Sequence, residues 1–152
     1  MNKMKTETIL YEDLGFPITL INVPMKKIFG EWVLEIDLDR LQKSALYALI
    51  YKPGSWTGDE LHFVRTYLEM TATDFAKVFG VTHGAVLKWE KGERRITPTT
   101  EFYMRLYALN QLHAKAKEMQ SLYNKINIET LSKRENSEPI EIDASKELRI
   151  AI

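Results

Sequence analysis

Apolar positions along this chain follow a strand-like alternation near the N-terminus and a helical spacing through the middle. The run ITLINV (18–23) is apolar and β-branched, with Gly15 and Pro17 before it and Pro24 after it as punctuation. KKIF and EWVLEI then flank Gly30, which predicts a hairpin turning near Phe29–Glu31. From Asp37 the spacing becomes three and four. Leu38, Leu41, Ala45, Leu46 and Leu49 share one helix face, Asp37 is placed to cap it, and Pro53 with Gly54 ends it. Residues 1–56 therefore read as a small β-β-β-α unit, and nothing in it looks catalytic.

The stretch 57–112 is almost wholly helical in pattern. Thr57 is placed to cap a helix carrying Leu61, Val64, Arg65 and Leu68, with Asp59 and Glu60 set against the positive end of its dipole. Thr97 followed by Pro98 marks another helix start. From there a single long helix is predicted through Phe102, Leu106, Leu109, Leu112, Ala116, Met119, Tyr123 and Ile126. It would reach about 40 Å at 1.5 Å per residue, more than so small a domain covers, so its distal half is expected to pack on a second copy or a partner. Residues 113–152 form the third segment, the helix extension and an acidic tail. SKRENSEP reads as a solvated linker, and PIEID and LRIAI alternate as short strands do. Three placements stay open for that tail: closing the N-terminal sheet, pairing across a dimer, or ordering only against a partner.

Between the flanking helices lies TATDFAKVFGVTHGAVLKWEKG (71–92). Thr71 caps a short helix, Ala72 to Phe79, that turns Phe75, Ala76 and Phe79 inward. Gly80 falls where a three- or four-residue turn needs a positive φ, and Val81 plugs the angle between two helices. Thr82 caps a second helix that buries Val86 and Trp89. Ala76, small, stands where the two helices cross most closely. This is the pattern of a helix-turn-helix, whose second helix enters the DNA major groove with its N-terminal residues toward the bases.

On that helix the exposed face is read as Thr82, His83, Gly84 and Ala85, then Leu87 and Lys88 one turn on. His83 and Lys88 suit a guanine N7 or O6, and Ala85 suits a thymine methyl. Gly84 costs up to about 1 kcal/mol of helix propensity against alanine, which close approach to DNA would explain. Lys91, Arg94 and Arg95 are placed to meet phosphates, as are the backbone N–H groups of Ala72 and Thr73 at a helix start. Trp89 is read as core and Glu90 as paired within the fold.

Composition bears on this in one respect. Lys and Arg balance Asp and Glu at 21 each in 152 residues, so no overall charge draws the chain to nucleic acid. Locally, residues 82–97 hold four cations (Lys88, Lys91, Arg94, Arg95) against Glu90 and Glu93, a modest patch beside the reading helix. Two copies would double it. With no cysteine, and with His62, His83 and His113 far apart, no metal or other cofactor is expected. Asp59 and His62 share a helix side but lack a nucleophile, metal set or phosphate loop, so enzymatic activity is not expected. Nothing approaches the run of about 20 apolar residues that spans a bilayer, and a cytoplasmic location is expected.

FAKVFGVTHGAVLKWEKGERR resembles the XRE-type, phage-repressor-like helix-turn-helix family: a small residue, Gly-Val-Thr, an aliphatic, an aromatic, then Glu-x-Gly. Ala72 departs from it, standing where the family often has a phosphate-contacting Gln. The resemblance implies a five-helix, lambda-repressor-like domain over 57–112. The expected fold is thus mainly α, with the N-terminal β/α unit, a long C-terminal helix and a short strand-like tail. KPGSWTGDELHFVR and the segment before it are similar to MqsA-type antitoxins, without the cysteine-bound zinc domain of those proteins. That implies a repressor of its own operon, binding a palindromic double-stranded operator as a homodimer and pairing with a toxin. The alternative is a stand-alone regulator of phage or mobile-element type.

Overall fold

The computed structural model describes residues 4–112, 116–126, 131 and 138–145. Two compact units emerge: residues 1–48 with 139–152, and residues 49–138. The first unit is discontinuous in sequence, because the strand Ile140–Asp143 pairs with the strand Ile18–Ile28.

The first unit is a four-stranded mixed sheet followed by most of a helix. Strands β1 (Met4–Tyr11), β2 (Ile18–Ile28) and β3 (Glu31–Leu34) are antiparallel neighbours, and β4 (Ile140–Asp143) lies parallel to β2. β2 is the hub. One edge pairs with β1 along its length, while the other is shared by β4 over 18–21 and β3 over 25–28. Of the three placements open to the tail, PIEID takes the first and closes the sheet; LRIAI lies outside the described residues. Phe16, Ile18, Leu20, Val23, Met25, Ile140 and Ile142 are buried.

ITLINV and KKIF are one strand, and Pro24 lies within it. Glu35 N–H donates to Pro24 O, so the donorless N of Pro24 faces the same edge, away from β1 and just past the last β2–β3 pair, Met25 with Leu34. Two residues earlier Asn22 takes φ 53°, beside a register shift opposite Glu7–Ile9. Its amide donates to Asp143 Oδ2 at 3.1 Å, tying the irregularity to β4. The hairpin turn is the expected one, with Phe29 (φ 50°) and Gly30 (φ 84°) both left-handed. Helix α1 (Leu38–Ile50) starts on Asp37, whose Oδ1 accepts from Arg40 N–H.

The second unit holds α2 (Gly58–Tyr67), α3 (Ala72–Phe79), α4 (His83–Glu90), α5 (Pro98–Gln111) and α6 (Ala116–Lys125). Thr57, Thr71, Thr82 and Thr97 cap the first four, each hydroxyl oxygen accepting from the third residue of its helix. Each such cap contributes about 1 kcal/mol. Glu60 completes a capping box by accepting from Thr57 N–H at 2.8 Å.

The mainly α fold with a five-helix domain is overturned. The described residues form six helices and a four-stranded mixed sheet, a mixed α/β fold, and 57–112 contains four helices. The long helix is two: α5 ends at Leu112 and α6 begins at Ala116. α6 packs on α5, Leu122 and Ile126 are buried, and Tyr51 Oη donates to Glu118 O. Leu122 and Ile126 of the distal stretch are thus covered within their own chain.

A buried polar network holds this unit. Arg105 is wholly buried on α5 and donates to the carbonyls of Ile50 (3.0 Å), Lys52 (2.6 Å) and Gly54 (2.6 Å) and to Glu101 Oε2 (2.8 Å). Glu101 Oε1 accepts from Ser55 Oγ at 2.6 Å and Trp56 N–H at 3.0 Å. The guanidinium stands 5.1 Å from the Trp56 ring centroid; its Nε–H has no partner among the described residues. Burial pushes Arg105 below the usual guanidinium range, opposed by the Glu101 charge. Nearby, Lys52 Nζ donates to buried Glu60 Oε1 at 2.7 Å. Removing one member leaves the others charged and dry, so Arg105→Ala should cost about 3–5 kcal/mol in urea unfolding. A loss under about 1 kcal/mol, the worth of a surface pair, would contradict this.

Candidate nucleic-acid interface

α3 and α4 form a tight bihelical corner. Gly80 closes α3 in the left-handed region (φ 67°, ψ 33°), its N–H donating to Ala76 O, and Val81 N–H donates to the same oxygen. Thr82 then restarts the chain as the cap of α4. Inside the corner Phe75, Ala76, Ala85, Val86 and Trp89 are buried. Phe79 extends this core toward α5, with Tyr103 and Tyr107 edge-on to it at 5.2 and 5.5 Å between centroids.

Most residues read as DNA-facing lie on the outside of this corner. Thr73, Thr82, His83, Gly84 and Lys88 are exposed, as are Lys91, Arg94 and Arg95 in the segment that leaves α4. Thr82 also has a structural task, since its Oγ1 accepts from Ala85 N–H at 3.1 Å. The N–H groups of Ala72 and Thr73 precede the first intrahelical bond of α3, from Phe75 N–H to Thr71 O. Leu87 is half-buried.

Ala85 is a correction. At 6 % exposure it faces the core and has no access to a thymine methyl. It lies four residues before Trp89, one turn back on the same face, so burying Trp89 buries Ala85 too.

Gly84 is free of any internal demand for glycine. A Cβ there would meet nothing within 4 Å, and its φ is outside the left-handed region. Neither packing nor backbone geometry within the chain accounts for it.

The far end of α4 is braced from α2. Glu90 Oε2 accepts from Arg65 Nε at 2.6 Å and Oε1 from Arg65 Nη2 at 2.9 Å, a bidentate pair. His62 Nδ1 lies 2.7 Å from Glu90 Oε1, and Arg65 Nη1 donates to Met70 O at the start of the link to α3. Glu90 is paired within the fold, as expected, and its partners are Arg65 and His62, 25 and 28 residues away, which spacing along the chain does not reveal. Among the described residues no group of three or more His, Asp or Glu is placed to hold a metal, and no helix is long and apolar enough to cross a membrane. No family model, curated protein or solved structure matches the chain.

Burial alone would raise the Glu90 carboxyl pKa; hydrogen bonds and charge from Arg65 and His62 outweigh it and hold it below its usual value. A carboxylate with a depressed folded pKa stabilises above its unfolded value, about 4.3, and loses that contribution as pH falls through the folded value. Glu90→Gln should therefore be less stable than the parent at about pH 7, with the gap closing below about pH 4.3. A gap constant across that range in urea titrations would show that the brace contributes no charge-dependent stability.

Proposed function

We propose that this chain is a sequence-specific double-stranded DNA-binding repressor that reads the major groove with the first turns of α4. The observation that carries the reading is the outer face of α4. His83, Gly84 and Lys88 are exposed on a helix whose opposite face is locked by Ala85, Val86 and Trp89. Gly84 supports it further, because a glycine that the chain does not require suits close approach to a surface outside the chain. In this reading Lys91, Arg94 and Arg95 bind phosphates and set the register, while His83 and Lys88 contact bases. The reading face is narrow, which favours a homodimer on a palindromic operator.

The likeness of KPGSWTGDELHFVR to MqsA-type antitoxins extends the proposal to an autoregulating cytoplasmic antitoxin. Its test is whether a neighbouring gene encodes a product that is toxic alone, co-purifies with this chain and is neutralised by it. A solitary gene would leave the stand-alone repressor.

Gly84→Ala separates function from folding. It should leave the fold as stable or up to about 1 kcal/mol more stable, yet weaken operator binding. His83→Ala with Lys88→Ala should abolish the preference for operator over random DNA. Arg94→Ala with Arg95→Ala should weaken binding to all sequences and flatten its salt dependence. Unchanged operator binding by Gly84→Ala and by the His83, Lys88 double variant would overturn the assignment of α4.

A further inference from the structure

We propose that Gly58 and His62 on α2 are positioning residues for DNA reading: they touch no base but fix where α4 presents its face. The inference rests on α4 being the reading helix.

Gly58 opens α2 against the last carbonyls of α4. A Cβ built on it would overlap Glu90 O and would stand 2.7 Å from Trp89 O and 2.8 Å from Glu90 C. All three are backbone atoms, which cannot swing aside as a side chain does. Its φ is not in the left-handed region, so glycine is needed here for proximity and not for conformation. The contact sets the positive end of one helix dipole against the negative end of another, a favourable arrangement only at short range. The same turn of α4 is where the chain departs toward Lys91, Arg94 and Arg95, with Gly92 N–H donating to Trp89 O at 3.1 Å. Displacing this end therefore tilts the reading face and moves the phosphate-facing segment.

His62 lies one turn further along α2 and holds the Glu90 side chain at 2.7 Å. Its side chain is 59 % exposed, so its removal leaves no cavity. Gly58 fixes the approach of α4 through the backbone, and His62 with Arg65 fixes its rotation through the side chain.

The test uses the full chain, the duplex that the parent protein enriches from a random pool, and an unrelated duplex. Gly58→Ala should weaken binding to the enriched duplex by about tenfold or more, the worth of one lost base contact, with a clearly smaller loss on the unrelated duplex from the displaced phosphate-facing segment. His62→Ala should act in the same direction by about threefold, the scale of an exposed pair. In both variants the ¹H–¹⁵N amide signals of Trp89 to Gly92 should shift in the absence of DNA. Unshifted signals with unchanged discrimination would overturn the proposal, as would equal losses on both duplexes. If Gly58→Ala does not fold at the assay temperature, His62→Ala decides by the same two readouts. A parent protein that enriches no sequence would defeat the DNA reading instead, and the amide signals alone would then decide whether α2 positions α4.

Discussion

The helical unit depends on the wholly buried ion pair between Arg105 and Glu101. Residues 50–56 form the segment from the last residue of α1 to the residue before the cap of α2, largely outside helix and strand, and its polar groups need partners. Arg105 takes three of its carbonyls, and Glu101 takes a hydroxyl and an N–H from the same segment. Side chains one turn apart on α5 thus do for this segment what a neighbouring strand does for a strand. A buried ion pair is not in itself a source of net stability, because desolvation offsets most of its attraction. Its value here is that one geometry satisfies all these groups, so the segment has one conformation.

That conformation is passed on to the candidate site. Trp56 N–H bonds Glu101, and the next residue, Thr57, caps α2; Glu60 of the capping box also binds Lys52. The start of α2 is therefore fixed twice, by its cap and by the network beneath it. α2 in turn meets the end of α4 through Gly58, His62 and Arg65. The chain of constraint runs from α5 through the 50–56 segment and α2 to α4, and each link is a hydrogen bond or a close backbone contact.

What could be read from the sequence was local. The four threonine caps, Asp37 before α1, the left-handed Gly80 and the inward Phe75, Ala76, Val86 and Trp89 are set by residues within a few positions of each other. Spacing shows such features directly. What failed was non-local. β1 alternates too weakly in MKTETILY to declare itself and is defined by pairing with β2. Pro24 reads as a strand end because spacing cannot show that its donorless side falls just past the end of the β2–β3 pairing. Apolar residues at helical spacing ran on past Leu112 without Gly or Pro, so periodicity could not separate α5 from α6. Across the chain the Arg105–Glu101 network joins positions separated by 45 to 55 residues, and only its Glu101–Arg105 spacing of four shows in the sequence. Ala85 was legible and misread, since its distance from Trp89 already put it inside.

The central claim is that α4 reads base sequence, and selection from a random duplex pool tests it most directly. The account predicts enrichment of a short motif, repeated in inverted orientation at about one helical turn, 10–10.5 base pairs centre to centre, or a multiple of it. A pool that emerges with the composition it began with, while the protein remains folded throughout, would contradict it.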